Sequence, residues 1–151
     1  MGLARFIADL FFPSAKRSAE EGENAAHRLG REGERLAARY LRGQKYRILY
    51  RNFRAPRGGG EVDLVCRDKT DDTLVFVEVK TRSSTAFGAP GEAVTRDKQK
   101  LIARGALAWL RLLDRPDIIF RFDIVEIVHD GREPSFHLIK DAFKLPEPYI
   151  Y

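Results

Sequence analysis

Cysteine occurs once in this 151-residue chain, at Cys66, so an internal disulfide and a thiolate-based zinc site are both excluded, and a reducing, cytoplasmic setting is expected. The three histidines, His27, His129 and His137, show no metal-binding spacing. A GxxxxGK[ST] phosphate loop, a GxSxG elbow and an HExxH helix are all missing, which removes three common hydrolytic chemistries. No apolar run approaches the ~20 residues that a transmembrane helix needs. Acidic residues are the minority charge, 22 against 27 Lys and Arg, for a net +5 and a pI near 9.5. That balance favours polyanionic partners, nucleic acid or an anionic membrane surface. A chain of this length predicts a single core able to fold without disulfide or metal.

Along the chain, Leu3, Phe6, Ile7, Leu10 and Phe11 fall on the stripe of an amphipathic helix, interrupted as a signal peptide by Arg5 and Asp9. This Leu3–Phe11 segment is a candidate contact for a partner or a membrane surface. A polar stretch follows, so residues 1–28 are read as an N-terminal segment and linker, and residues 29–151 as one domain. Helical spacing runs from Leu29 to Leu41, with Arg31, Arg35, Arg39 and Arg42 on the opposite side. Strands are predicted over Tyr46–Arg54, Glu61–Arg67 and Leu74–Thr81. A Gly/Ser/Pro loop follows over Ser83–Glu92, then a helix capped by Thr95 and running to Leu113, ended by Pro116. A last strand is predicted over Ile118–Val128, with an irregular tail. The fold class is α/β: a small mixed sheet flanked by helices.

The hairpin GGGEVDLV…LVFVEVKTR is where chemistry concentrates. Strand alternation puts Val62, Leu64 and Cys66 on one face, and Glu61 and Asp63 on the other. On the second strand Val75, Val77 and Val79 oppose Phe76, Glu78 and Lys80. A hairpin centred on its polar loop sets Asp63 opposite Glu78 and Glu61 opposite Lys80, so two carboxylates and an ammonium converge beside a Gly-rich loop. Like charges placed opposite one another require a neutraliser, and a hard divalent cation, Mg²⁺ or Mn²⁺, supplies one. Lys80 would orient water or offset charge on phosphate, a set suited to metal-assisted phosphodiester hydrolysis. Glu34, at the border of the first helix's apolar stripe, is a candidate third carboxylate. Arg31, Arg35, Arg96, Lys98, Gln99 and Lys100 are candidate nucleic-acid contacts.

The motifs LGREGERLAARYL, YRILYRNFR, GGGEVDLVCRD, LVFVEVKTR, FGAPGEAV and RDKQKLIARGALAWL, in this order, resemble the bacterial YraN-like proteins over about Leu29 to Trp109. That family is similar to the PD-(D/E)XK nucleases, most often likened to archaeal Holliday junction resolvases. The resemblance implies a restriction-endonuclease-like core. By motif position it makes Asp63, Glu78 and Glu34 metal ligands and Lys80 the catalytic lysine, with Val62 where the superfamily name has Pro. The expected function is metal-dependent cleavage of DNA, including branched or structured DNA. The alternatives are a non-cutting nucleic-acid-binding protein of the same fold, or an interaction protein docking through Leu3–Phe11. Nucleic acid is the expected partner, and a homodimer is left open.

Overall fold

The computed structural model describes residues 25–82, 94–114 and 117–148. The Leu3–Phe11 segment, most of the polar stretch after it, the Ser83–Glu92 loop, Pro116 and the last three residues of the tail lie outside them. Helix α1 (Ala25–Gly43) begins four residues before the predicted start, and buries Ala37, Ala38 and Leu41. It stops where Gln44 N–H turns back to the carbonyls of Tyr40 and Leu41, and Lys45 takes a left-handed φ of 68°. Strand β1 (Tyr46–Arg54) follows, then a short 3-10 turn (Pro56–Gly58) closed by Ala55 N–H on Gly60 O at 2.9 Å. Strands β2 (Glu61–Asp68) and β3 (Thr73–Arg82) form the predicted hairpin, each slightly longer than its sequence signal. Thr95 caps helix α2 (Arg96–Leu113) as expected, its hydroxyl accepting from Lys98 N–H at 3.2 Å.

Helix α2 is the crossover that lets β4 (Phe120–Val128) run parallel to β3. A further strand, β5 (Ser135–Phe143), pairs antiparallel with β4 and corrects the predicted order by one strand. Its sequence, SFHLIKDAF, mixes polar and apolar residues because it is a sheet edge. It is held by side-chain stacking: Phe136 on Tyr40 and Phe143 on Phe122, both with ring centroids 4.7 Å apart. The sheet order is β1-β2-β3-β4-β5, a mixed five-stranded sheet with a helix on each face, consistent with a small restriction-endonuclease-like core. Among the described residues no helix is long and apolar enough to cross a membrane.

Two apolar cores separate along the sheet. On the α2 side Phe53, Val62, Val65, Phe76 and Phe122 pack with Ile102, Ala106 and Trp109. On the α1 side Leu64, Cys66, Val75, Val77, Val125 and Ile127 pack with Ala37, Ala38 and Leu41. Val62 is therefore not with Leu64 and Cys66, as strict alternation predicts. It follows its cross-strand partner Phe53, whose ring meets Trp109 edge-on, to the other face.

Helix α2 touches β2 backbone to backbone. A Cβ on Gly60 would lie 2.2 Å from Gly105 N, and one on Gly105 would lie 2.8 Å from Glu61 N. At the other end of the sheet, Asp68 and Asp123 are fully buried around Arg121.

Gly105→Ala should therefore lower stability by about 1–3 kcal/mol, the usual cost of forcing atoms into filled space. Gly30→Ala is the contrast: a Cβ there would meet nothing within 4 Å, and the residue sits in the exposed first half of α1. It should gain about 0.5–1 kcal/mol from helix propensity. Urea unfolding of both variants checks the pair, and equal effects would contradict the close approach.

Candidate active site

The site grows from a gap in the sheet. Strands β2 and β3 pair from Asp68↔Thr73 only as far as Leu64↔Val77, in the register that sequence symmetry predicts. Between β1 and β2 the register passes from Arg51↔Leu64 to Phe53↔Val62, with no pair joining Asn52 and Asp63. Asn52 sits at φ 52°, a left-handed conformation that asparagine tolerates well, and this lets the strand break its alternation there. Asp63 stands where the β2–β3 ladder stops and the β1–β2 ladder is interrupted. Its Oδ2 accepts the Val79 N–H at 2.8 Å, doing the work of the missing strand partner.

This bond brings the Asp63 carboxyl against that of Glu78, and the two side chains share a hydrogen bond. Two carboxyls in such contact need a proton or a cation between them. Burial, and then the neighbouring Asp63 charge, push Glu78 up to about 8. Burial also pushes Asp63 upward, against the Val79 amide and the Glu78 bond, which favour its charged form. The second oxygen of Glu78, Oε2, is buried and has no hydrogen-bond partner. Asp63 and Glu78 are thus brought together as expected.

The cation on Glu61 is not the predicted one. Lys98, from the first turn of α2, places Nζ 2.7 Å from Glu61 Oε1 and 3.4 Å from Glu78 Oε1. Its bond holds the Glu61 carboxyl below the usual range. Burial disfavours the Lys98 charge, but Glu61, Glu78 and Asp63 together raise it above the ordinary lysine value. Lys98, a candidate nucleic-acid contact from the sequence, is here paired with Glu61 and Glu78. Lys80 is half-buried two residues beyond Glu78 and stands beside Glu126 in the parallel register.

Glu34 is also partly buried, and burial raises it, opposed by a hydrogen bond with Asn52. It lies close enough to Asp63 to feel its charge. Its partner is nevertheless Asn52, and among the described residues no three ligating side chains stand close enough together to hold a metal as a group. Of the other candidates, Arg31 and Arg35 are exposed on α1, with Arg35 bound to Glu32 at 2.6 Å. Arg96 is exposed and Lys100 half-buried on α2, while Gln99 donates to Val94 O at 3.2 Å.

Sequence reasoning missed Asn52 and Glu126. Glu126 is buried, takes Arg82 at 2.6 Å, and leaves its other oxygen unpartnered. An acid flanked on both sides by β-branched residues, in IVEIV, is the signal that could have found it, since a buried carboxylate demands a partner.

Comparison with known proteins sets this site in context. The profile described as "Uncharacterised protein family UPF0102" matches residues 33–127, a span that holds Glu34, Asn52, Asp63, Glu78, Lys80 and Lys98. A UPF0102 protein of Geobacter metallireducens is 47% identical over 117 residues, covering 78% of this chain and 93% of its own length. One from Geotalea daltonii is 47% identical over 126 residues, covering 83% and 96%. One from Chlorobaculum tepidum is 48% identical over 105 residues, covering 70% and 78%. The YraN-like resemblance read from the motifs is the same family.

The raised Glu78 carboxyl sets a pH dependence. Unfolded, it releases its proton near 4.5; folded, it keeps it to about 8. The native state then binds the extra proton, so stability is greatest below about 4.5 for this group and falls as pH rises toward 8. Metal-free protein should lose on the order of a few kcal/mol across that window. Urea unfolding at several pH values in a chelator checks it, and Glu78→Gln should flatten the slope. A wild-type profile rising with pH would contradict the shared proton.

Proposed function

The chain belongs to the uncharacterised protein family UPF0102, whose name assigns no chemistry, and from the site itself we propose that it is a metal-dependent endonuclease acting on DNA. One observation carries this reading: Asp63 and Glu78 are pressed together at a gap in the sheet, with a buried Glu78 oxygen left without a partner. Two carboxylates are the number that Mg²⁺ commonly takes from protein, leaving the rest of its shell to water and substrate phosphate. The residues fit such an ion. When bound, Mg²⁺ or Mn²⁺ would polarise the phosphate and make an attacking water easier to deprotonate.

The chain's own residues do the rest. Asp63, fixed by the Val79 amide, and Glu78 would hold the cation in place of the proton they share. Lys80 offsets negative charge as it builds on the phosphate. Glu34, held by Asn52, faces the same space and orients water. A second reading has its own support: Lys98 already sits between Glu61 and Glu78, and a resident ammonium can neutralise the acids in a member that binds nucleic acid without cutting it.

Calorimetric titration with Mn²⁺ should show binding to the wild type and none to Asp63→Ala; equal binding by both would overturn the metal assignment. Purified protein with Mg²⁺ or Mn²⁺ should cleave one of duplex, single-stranded or four-way DNA. Binding with no cleavage of any of them would favour the second reading. Lys80→Ala should keep metal and DNA affinity yet lose about a hundred- to a thousandfold in single-turnover rate. A variant that cuts normally would remove Lys80 from the mechanism.

A further inference from the structure

The basic charge of this chain is not spread evenly. Residues 25–57, which form α1, β1 and the turn after it, contain nine arginines and one lysine against two glutamates, a net +8. Every other residue together sums to −3, giving the whole-chain +5. Helix α2 carries Arg96, Lys98, Lys100, Arg104 and Arg111 against Asp97, a net +4, but the largest continuous basic stretch is α1 with β1 and its turn. On α1, Arg28, Arg31, Arg35, Arg39 and Arg42 are all exposed and spaced three or four residues apart, a single stripe.

The break at Asn52 decides where the strand's arginines go. In a regular strand Arg51 and Arg54, three apart, would project to opposite faces. Here Arg51 pairs with Leu64, which packs on the α1 side, while Phe53 packs against Trp109 on the α2 side. Arg54, next after Phe53, returns to the α1 side. Both arginines are exposed, and both act electrostatically on Glu34; Arg54 acts on Glu61 as well. They therefore border the acidic site. Among the described residues strand β1 is an outer strand of the sheet, and none of them pairs with its open edge. On helix α2, by contrast, Lys98 is committed to the acids and Gln99 is bound to Val94.

We infer that the nucleic-acid backbone reaches the acidic site across β1, held by Arg51 and Arg54 with the arginine stripe of α1, and not across α2. The inference rests on the nuclease reading of that site and names the surface that serves it. Guanidinium groups suit the task because their paired donors match phosphate oxygens. Two arginines flanking the acids also offset the repulsion that Asp63, Glu78 and Glu34 would exert on an approaching phosphate.

The test is fluorescence anisotropy with a labelled duplex and a labelled single strand, in chelator so that nothing is cut. Arg51→Ala/Arg54→Ala should bind at least about tenfold more weakly than wild type. The slope of log K against log salt should flatten by about 1.8, two phosphate contacts at 0.9 each on a duplex. Arg111→Ala/Arg132→Ala, which removes the same charge from exposed positions elsewhere, should stay within about twofold. Arg51→Lys/Arg54→Lys should recover part of the affinity, and unchanged urea unfolding of the alanine variant separates contact from fold. Wild-type affinity in the alanine variant, or a larger loss in Arg96→Ala/Lys100→Ala, would overturn the inference and leave the nuclease reading standing. Failure of the wild type to bind either DNA, with arginine-dependent binding to phosphatidylglycerol vesicles instead, would overturn both.

Discussion

The hydrogen bond from Val79 N–H to the Asp63 carboxylate is the contact on which this molecule turns. A buried amide with no partner costs about 1–3 kcal/mol, so wherever β2 and β3 part company something must take the amides they leave behind. Asp63 does so, and its orientation is then fixed by the backbone of the neighbouring strand. With one oxygen committed to Val79, the carboxyl has little freedom to turn away from Glu78. The crowding of the two acids follows from the way the sheet satisfies its own backbone. A site made in this way is formed before any ligand arrives.

A sheet that opens at one end must be secured at the other. Arg121 supplies that closure, reaching Asp68 at 2.7 Å, Asp123 at 2.9 Å, Asp71 at 3.1 Å and the Tyr46 hydroxyl at 2.9 Å. Lys140 adds a bond to Asp68, and the Tyr46 hydroxyl donates to Asp123. Residues from β1, β2, β4 and β5 meet in this cluster. Burial works against the Asp68 charge, but the bonds from Thr70, Arg121 and Lys140 outweigh it and hold its carboxyl well below the usual range. Buried charges on this scale add stability only when every lone pair is answered, and here the donors converge from β1, β4, β5 and the turn at Thr70. The two ends of the sheet therefore use carboxylates in opposite ways. One end surrounds them with cations and is inert; the other presses them together and leaves an oxygen unanswered.

The strands that face both cores were legible because burial makes their alternation strong, and β1, β2, β3 and the cap at Thr95 follow the sequence closely. The hairpin register was legible as well, since the polar loop fixes its centre and the valines allow one alignment. Strand β5 was not, because an edge strand needs to be apolar on one side only and SFHLIKDAF carries no clean period. The failure of alternation at Val62 has a different cause. It is dictated by Phe53 and Trp109 across the sheet, and by a positive φ at Asn52, neither of which a strand-by-strand reading can see. The pairing of Lys98 with Glu61 and Glu78 was hidden for a related reason: which side of an amphipathic helix meets a strand end depends on how close the backbones come.

That closeness links packing to charge. Gly105 lies seven residues after Lys98, two turns along the same stripe of α2, and its lack of a side chain lets the helix rest directly on Gly60 and Glu61. The same stripe, about 10 Å back along the helix, then carries Lys98 over Glu61 and Glu78. A bulkier residue at position 105 would lift the helix from β2 and withdraw the ammonium from the acids. With Lys98 withdrawn, Asp63 and Glu78 would lose the cation that favours their charged forms, and Glu61 would lose its ion pair. The glycine contact, which sequence alone shows only as a small residue inside a helix, thus sets the electrostatics of a site it does not belong to. Helix α2 acts as the arm that brings Lys98 into the site, and the sheet's gap at Asp63 gives that lysine carboxylates to meet.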